Sequence, residues 1–67
     1  MLINNISELG ELIKSTRKAQ NLTQSDLAMS TNVGVRFLVD LENGKETAQI
    51  GKVLQICKML GLKIEIK

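Results

Sequence analysis

Residues 23–45 constrain this chain more than any other stretch. They open on Thr23-Gln24-Ser25, where Thr23 can cap a helix, and close on Leu41-Glu42-Asn43-Gly44-Lys45, where Gly44 is a left-handed stop signal. Leu27 and Ala28 point inward from the first helix so defined. Leu38 and Leu41, at i and i+3, do so from the second, residues 35–42. The turn at residues 31–34 leaves only about three residues of connection between two helices of about eight to ten residues each.

Two short helices joined this tightly have the size and shape of a helix-turn-helix, in which the second helix lies in the DNA major groove. The other segments frame the pair. Ser7 is a candidate cap for a first helix, with Glu8 and Glu11 where the macrodipole favours acids. Leu9, Leu12, Ile13 and Thr16 make its inward stripe, Lys14 and Lys18 face outward, and Asn21 ends it in the left-handed conformation. After a polar loop, a fourth helix over residues 50–60 shows apolar residues at 50, 53, 54, 57 and 60, and Gly61 ends it. Ile56 and Met59 fall off that stripe and give the helix a second apolar side. The tail, residues 62–67, alternates apolar and polar as a half-buried strand does. A lone strand is not stable. The simplest solution is that two copies of the tail pair across a dimer axis, so Ile56, Met59, Leu62, Ile64 and Ile66 are the expected dimer interface.

The predicted fold is all-α: one domain, residues 1–67, of four to five short helices around a central helix-turn-helix, plus the dimerising strand. A chain of 67 residues buries only about 60% of its unfolded surface, so its core needs support from disulfides, a metal or a partner. Cys57 is the only cysteine and there is no histidine. That excludes an intramolecular disulfide, makes a zinc site a poor fit and removes Ser-His-Asp and Cys-His catalysis. Cys57 itself reads as a packed thiol in an apolar stripe. No metal, cofactor, small-molecule substrate or enzymatic activity is expected, and oligomerisation is the favoured support. No apolar run is long enough to span a bilayer and no signal-peptide pattern opens the chain, so a reduced, cytoplasmic setting is expected. The net charge of +2 barely separates a nucleic-acid binder from any other soluble domain.

From about residue 9 to residue 62 the chain resembles the lambda-repressor-like, or Xre-type, helix-turn-helix family. Arg17 in the first helix, Leu22-Thr23-Gln24 opening the second, Leu27-Ala28 inside it and Leu41-Glu42-Asn43-Gly44-Lys45 closing the third carry the likeness together. Within that family it looks most like HipB-type antitoxins, through Arg36-Phe37-Leu38, Asp40-Leu41-Glu42, Lys52-Val53-Leu54 and Leu60-Gly61-Leu62 with the strand-like tail. The subgroup resemblance implies a homodimer with paired tail strands that represses its own operon, and a HipA-like serine/threonine kinase toxin as partner. The family resemblance further implies an ion pair between Arg17 and Glu42 joining the first and third helices. Two departures fall in the turn: Asn32 where glycine is usual, and Gly34 where a serine or threonine usually caps the third helix.

On this reading the outward face of the third helix, Val35, Arg36, Val39 and Asp40, reads bases. The Arg36 guanidinium suits guanine O6 and N7, with a phosphate contact or an i,i+4 pair with Asp40 as its rivals. Asp40 either accepts from cytosine or holds Arg36 in place. Gln24 and Ser25 at the start of the second helix, and Asn43 and Lys45 after the third, are candidate phosphate contacts, with Arg17 a further one. Phe37 either packs under the turn or meets DNA or a dimer partner. The function that results is a sequence-specific transcriptional repressor, the HipB-like antitoxin of a toxin–antitoxin pair, which represses its own operon and neutralises a HipA-like kinase. The alternatives are a toxin-neutralising interaction module with little DNA affinity, or a phage-type repressor without a toxin.

Overall fold

The computed structural model describes residues 4–47 and 49–63. Its helices, in chain order, are α1 (Ile6–Ala19), α2 (Gln24–Thr31), α3 (Val35–Glu42) and α4 (Ile50–Met59). All four stop in the same way. A left-handed residue follows each, Asn21 (φ 59), Asn32 (φ 57), Gly44 (φ 84) and Gly61 (φ 81). The next N–H then returns to a carbonyl of the last turn: Leu22 to Arg17 at 3.1 Å, Val33 to Ala28 at 3.0 Å, Lys45 to Asp40 at 2.9 Å and Leu62 to Cys57 at 2.9 Å. These bonds satisfy carbonyls that the helix ends would otherwise orphan.

The starts are more varied. Asn5, not Ser7, caps α1; its side-chain oxygen accepts from the Glu8 N–H at 2.9 Å. The earlier start brings Ile6 into the helix, where it packs against the core. Thr23 caps α2 within a capping box: its hydroxyl accepts from the Asp26 N–H and the Asp26 carboxylate accepts from the Thr23 N–H, both at 3.0 Å. The Thr23 N–H, and then its hydroxyl, hold the Asp26 carboxyl below its ordinary value. Gly34 and Gln49 begin α3 and α4 without a side-chain cap.

Helix α3 packs against both α1 and α2, and α2 also packs against α4. The core is Ile13 from α1, Leu27 and Ala28 from α2, Leu38 and Leu41 from α3, and Val53, Ile56, Cys57 and Leu60 at α4. Burial pushes the Cys57 thiol up, as expected of a packed rather than a reactive cysteine. Two expectations about facing change. In α4 the buried stripe is rotated: Ile56 is wholly buried, while Ile50 is 61% and Leu54 45% exposed. Ile56 is therefore a core residue and is not offered to a dimer partner. The reason is that positions 53, 56, 57 and 60 keep the same helical spacing as the expected stripe, and contact with α2 selects them. The Gln20 side chain, donating to the Leu60 carbonyl at 2.9 Å, ties this end of α4 to the end of α1.

In α1 the fully buried positions are Gly10, Ile13 and Arg17, with Leu9, Leu12 and Thr16 half-buried. Gly10 is where α1 crosses α3. A Cβ there would run into the Leu41 carbonyl oxygen and stand 2.9 Å from that of Glu42. The expected strand is not seen among the described residues. Leu62 and Lys63 lie outside any helix and form no sheet, and 64–67, with Ile64 and Ile66, lie outside the described residues. The Leu62 N–H closes α4, so this residue belongs to a helix stop.

Gly10→Ala is expected to lower stability by about 1–3 kcal/mol, because the obstructing atoms are backbone and cannot swing aside. For a domain this small that is a drop of at least about 4 °C in thermal midpoint. An unchanged midpoint by circular dichroism would mean that α1 and α3 do not meet so closely.

Candidate nucleic-acid interface

Helix α3 can serve as a reading element only if its roll about its own axis is fixed. Its inward face anchors it with Leu38 and Leu41, which are buried, and with Glu42, whose side chain is 1% exposed. The Glu42 carboxylate accepts from Arg17 Nε at 2.7 Å and from the same guanidinium's second terminal nitrogen at 3.1 Å. Arg17 Nη1 donates to the Leu22 carbonyl at 2.7 Å. The expected pair between α1 and α3 is thus present, buried and bidentate. The other expected role of Arg17, at a phosphate, falls on a side chain turned into the fold. Its side chain is 8% exposed and each of its three nitrogens already donates inside the fold.

Gln24 joins the same cluster. Its amide nitrogen donates to Glu42 Oε1 at 3.1 Å, so the side chain bridges α2 and α3. An amide nitrogen carries two hydrogens, and one remains for a ligand. Ser25, beside it, is exposed. The link between Gln24 and Glu42 was not anticipated from sequence, where no spacing rule connects residues on different helices.

With the inward face committed, α3 leaves Val35 and Arg36 exposed and Val39 and Asp40 half-buried. Arg36 is 87% exposed; its Nε lies 3.5 Å from Asp40 Oδ1, one turn further along. Lys45, 71% exposed, places Nζ 3.7 Å from Asp40 Oδ2. Asn43 is exposed between them in sequence. Phe37 is half-buried at the core edge with Lys52 Nζ 5.4 Å from its ring centroid, a cation–π contact to α4. The structure therefore gathers Arg36, Asp40 and Lys45 into one exposed cluster and removes Arg17 to the interior. Gly34 has open space around it and offers only backbone polar groups at the start of α3.

A short helix, a left-handed turn at Asn32 and a second helix with an unobstructed outer face define a helix-turn-helix protein. Residues 13–67 match the helix-turn-helix family, and this chain belongs to it, in its Xre-like branch. The chain is similar to the uncharacterized HTH-type transcriptional regulator y4mF of Sinorhizobium fredii, with 55% identity over 60 residues, 90% of this chain and 79% of that protein. Among solved structures it superposes on the MDT Protein and on a chain of the HipA-HipB-O2-O3 complex. Each has a TM-score of 0.87 at 21% identity, over 100% of this chain and 94% of the other.

Removing one partner of the buried pair, by Arg17→Met or Glu42→Leu, is expected to cost about 3–5 kcal/mol, since a charge is left unpaired in the interior. The double variant should lose much less than the sum of the two. Additive losses in urea denaturation would show that the pair does not act as a unit.

Proposed function

We propose that the protein is a sequence-specific transcriptional repressor that binds operator DNA as a homodimer. The observation that carries this reading is α3: its inward face is locked by Glu42, and its outward face exposes Val35 and Arg36, with Val39 and Asp40 half-buried beside them. In this reading those residues and Asp40 face base edges in the major groove, with Arg36 on a guanine. Gln24, Ser25, Asn43 and Lys45 flank the helix at the phosphates. Two copies of α3 address half-sites about 34 Å apart in a palindromic operator. The family match and the relative's description as a transcriptional regulator support the assignment.

The finer reading is a HipB-like antitoxin of the cytoplasm that represses its own operon and neutralises a HipA-like kinase. It is supported by the fold shared with a chain of the HipA-HipB-O2-O3 complex. A kinase-like reading frame next to this gene, and co-purification of its product with this protein, are the observations that test it.

Binding to the DNA upstream of the gene, followed by fluorescence anisotropy, should weaken steeply with salt as counterions re-associate. Arg36→Ala should cost about 1–3 kcal/mol at the operator and relax preference at one base pair. Salt-insensitive binding, or an unchanged preference, would overturn the mechanism.

The dimer in this proposal is built on the tail, with Ile64 and Ile66, and on the exposed Met59 and half-buried Leu62. Deleting 64–67 leaves the Leu62 stop of α4 intact, so the helical fold should survive while dimerisation and operator affinity fall together. Sedimentation showing an unchanged dimer after this deletion would refute the paired-tail arrangement.

A further inference from the structure

The carboxylate of Asp40 stands between the two cations that the proposed interface relies on. Its Oδ1 is 3.5 Å from Arg36 Nε and its Oδ2 is 3.7 Å from Lys45 Nζ. Asp40 is the recessed member, 28% exposed, against 87% for Arg36 and 71% for Lys45. The backbone fixes the arrangement as well, because the Lys45 N–H donates to the Asp40 carbonyl at 2.9 Å across the left-handed Gly44. Ion pairs with cations this exposed add little to folding stability. Their effect falls instead on whatever anion approaches.

We infer that Asp40 sets the ratio of specific to non-specific DNA binding by competing with the phosphates for Arg36 and Lys45. The inference rests on the DNA-binding reading above. Toward a phosphate backbone the three side chains act as one net positive charge where two would otherwise act, so fewer counterions are released on any sequence. Toward a guanine edge the same carboxylate helps. An ion pair at Nε leaves the terminal nitrogens of Arg36 for bidentate recognition of O6 and N7. Asp40 thus subtracts from the part of affinity that every sequence shares and spares the part that depends on the base.

The test compares wild type with Asp40→Asn, close to isosteric, on two duplexes of equal length: the upstream operator DNA and a scrambled sequence. The variant should bind the scrambled duplex more tightly, with a salt slope steeper by about 0.9, or roughly a further threefold loss of affinity between about 50 and 200 mM salt. Its preference for the operator should fall. Asp40→Ala should act in the same direction, since charge and not shape is at issue, and thermal melting of each variant identifies any that has lost its fold. An unchanged slope and preference in a folded variant would overturn the inference. So would a loss confined to the operator with scrambled binding unchanged, which would make Asp40 a base-reading group. If wild type binds neither duplex, the DNA-binding reading itself fails.

Discussion

The Glu42 carboxylate sits with its side chain 1% exposed and takes hydrogen bonds from Arg17 Nε, from an Arg17 terminal nitrogen and from the Gln24 amide. Such a group is costly to bury, and it is tolerated because its oxygens are met by donors with good geometry. What the arrangement provides is orientation. A planar guanidinium gripping a carboxylate through two nitrogens defines the rotation of α3 as well as its distance from α1. A lysine at position 17, with one compact charge on a flexible stem, would define only the distance. Through Gln24 the same carboxylate holds the start of α2, so three helices converge on one acceptor.

From that anchor the outer surface follows. With Leu38, Leu41 and Glu42 facing in, the helical period turns Val35, Arg36, Val39 and Asp40 out or to the flank. The close crossing at Gly10 lets α1 lie directly on the carbonyls of α3, which brings Arg17 within reach of Glu42. In the turn between α2 and α3, Asn32 is left-handed, Val33 packs on the core and Gly34 gives α3 no side-chain cap. The setting of α3 therefore leans on the ion pair at its C-terminal end and on burial of Leu38 and Leu41 along its length.

The helix boundaries were largely legible from residue chemistry. A stop needs one residue that accepts a left-handed backbone, and Asn21, Asn32, Gly44 and Gly61 are each of that kind. Caps were less so. Asn5 and Ser7 are both competent, and only packing of Ile6 on the core distinguishes them. Asp26, three residues after Thr23, completes a box that the pattern of an N-cap followed by an acid could have revealed. The ion pair of Arg17 and Glu42 came from family likeness. That it would bury Arg17 and recruit Gln24 did not, because those contacts join residues 25 and 18 positions apart.

The sequence by itself determined four short helices, their stops, the tight turn and an outward-facing Arg36, since each depends on neighbours within about two helical turns. The tertiary structure decided which of two overlapping apolar stripes of α4 is buried, taking Ile56 into the core and leaving Ile50 and Leu54 outside. It also decided that Arg17 belongs to the interior and that Asp40 is shared between Arg36 and Lys45. The physical reason is common to all three. A helical period permits several faces equally, and only the shape and charge of the helices packed against it select one.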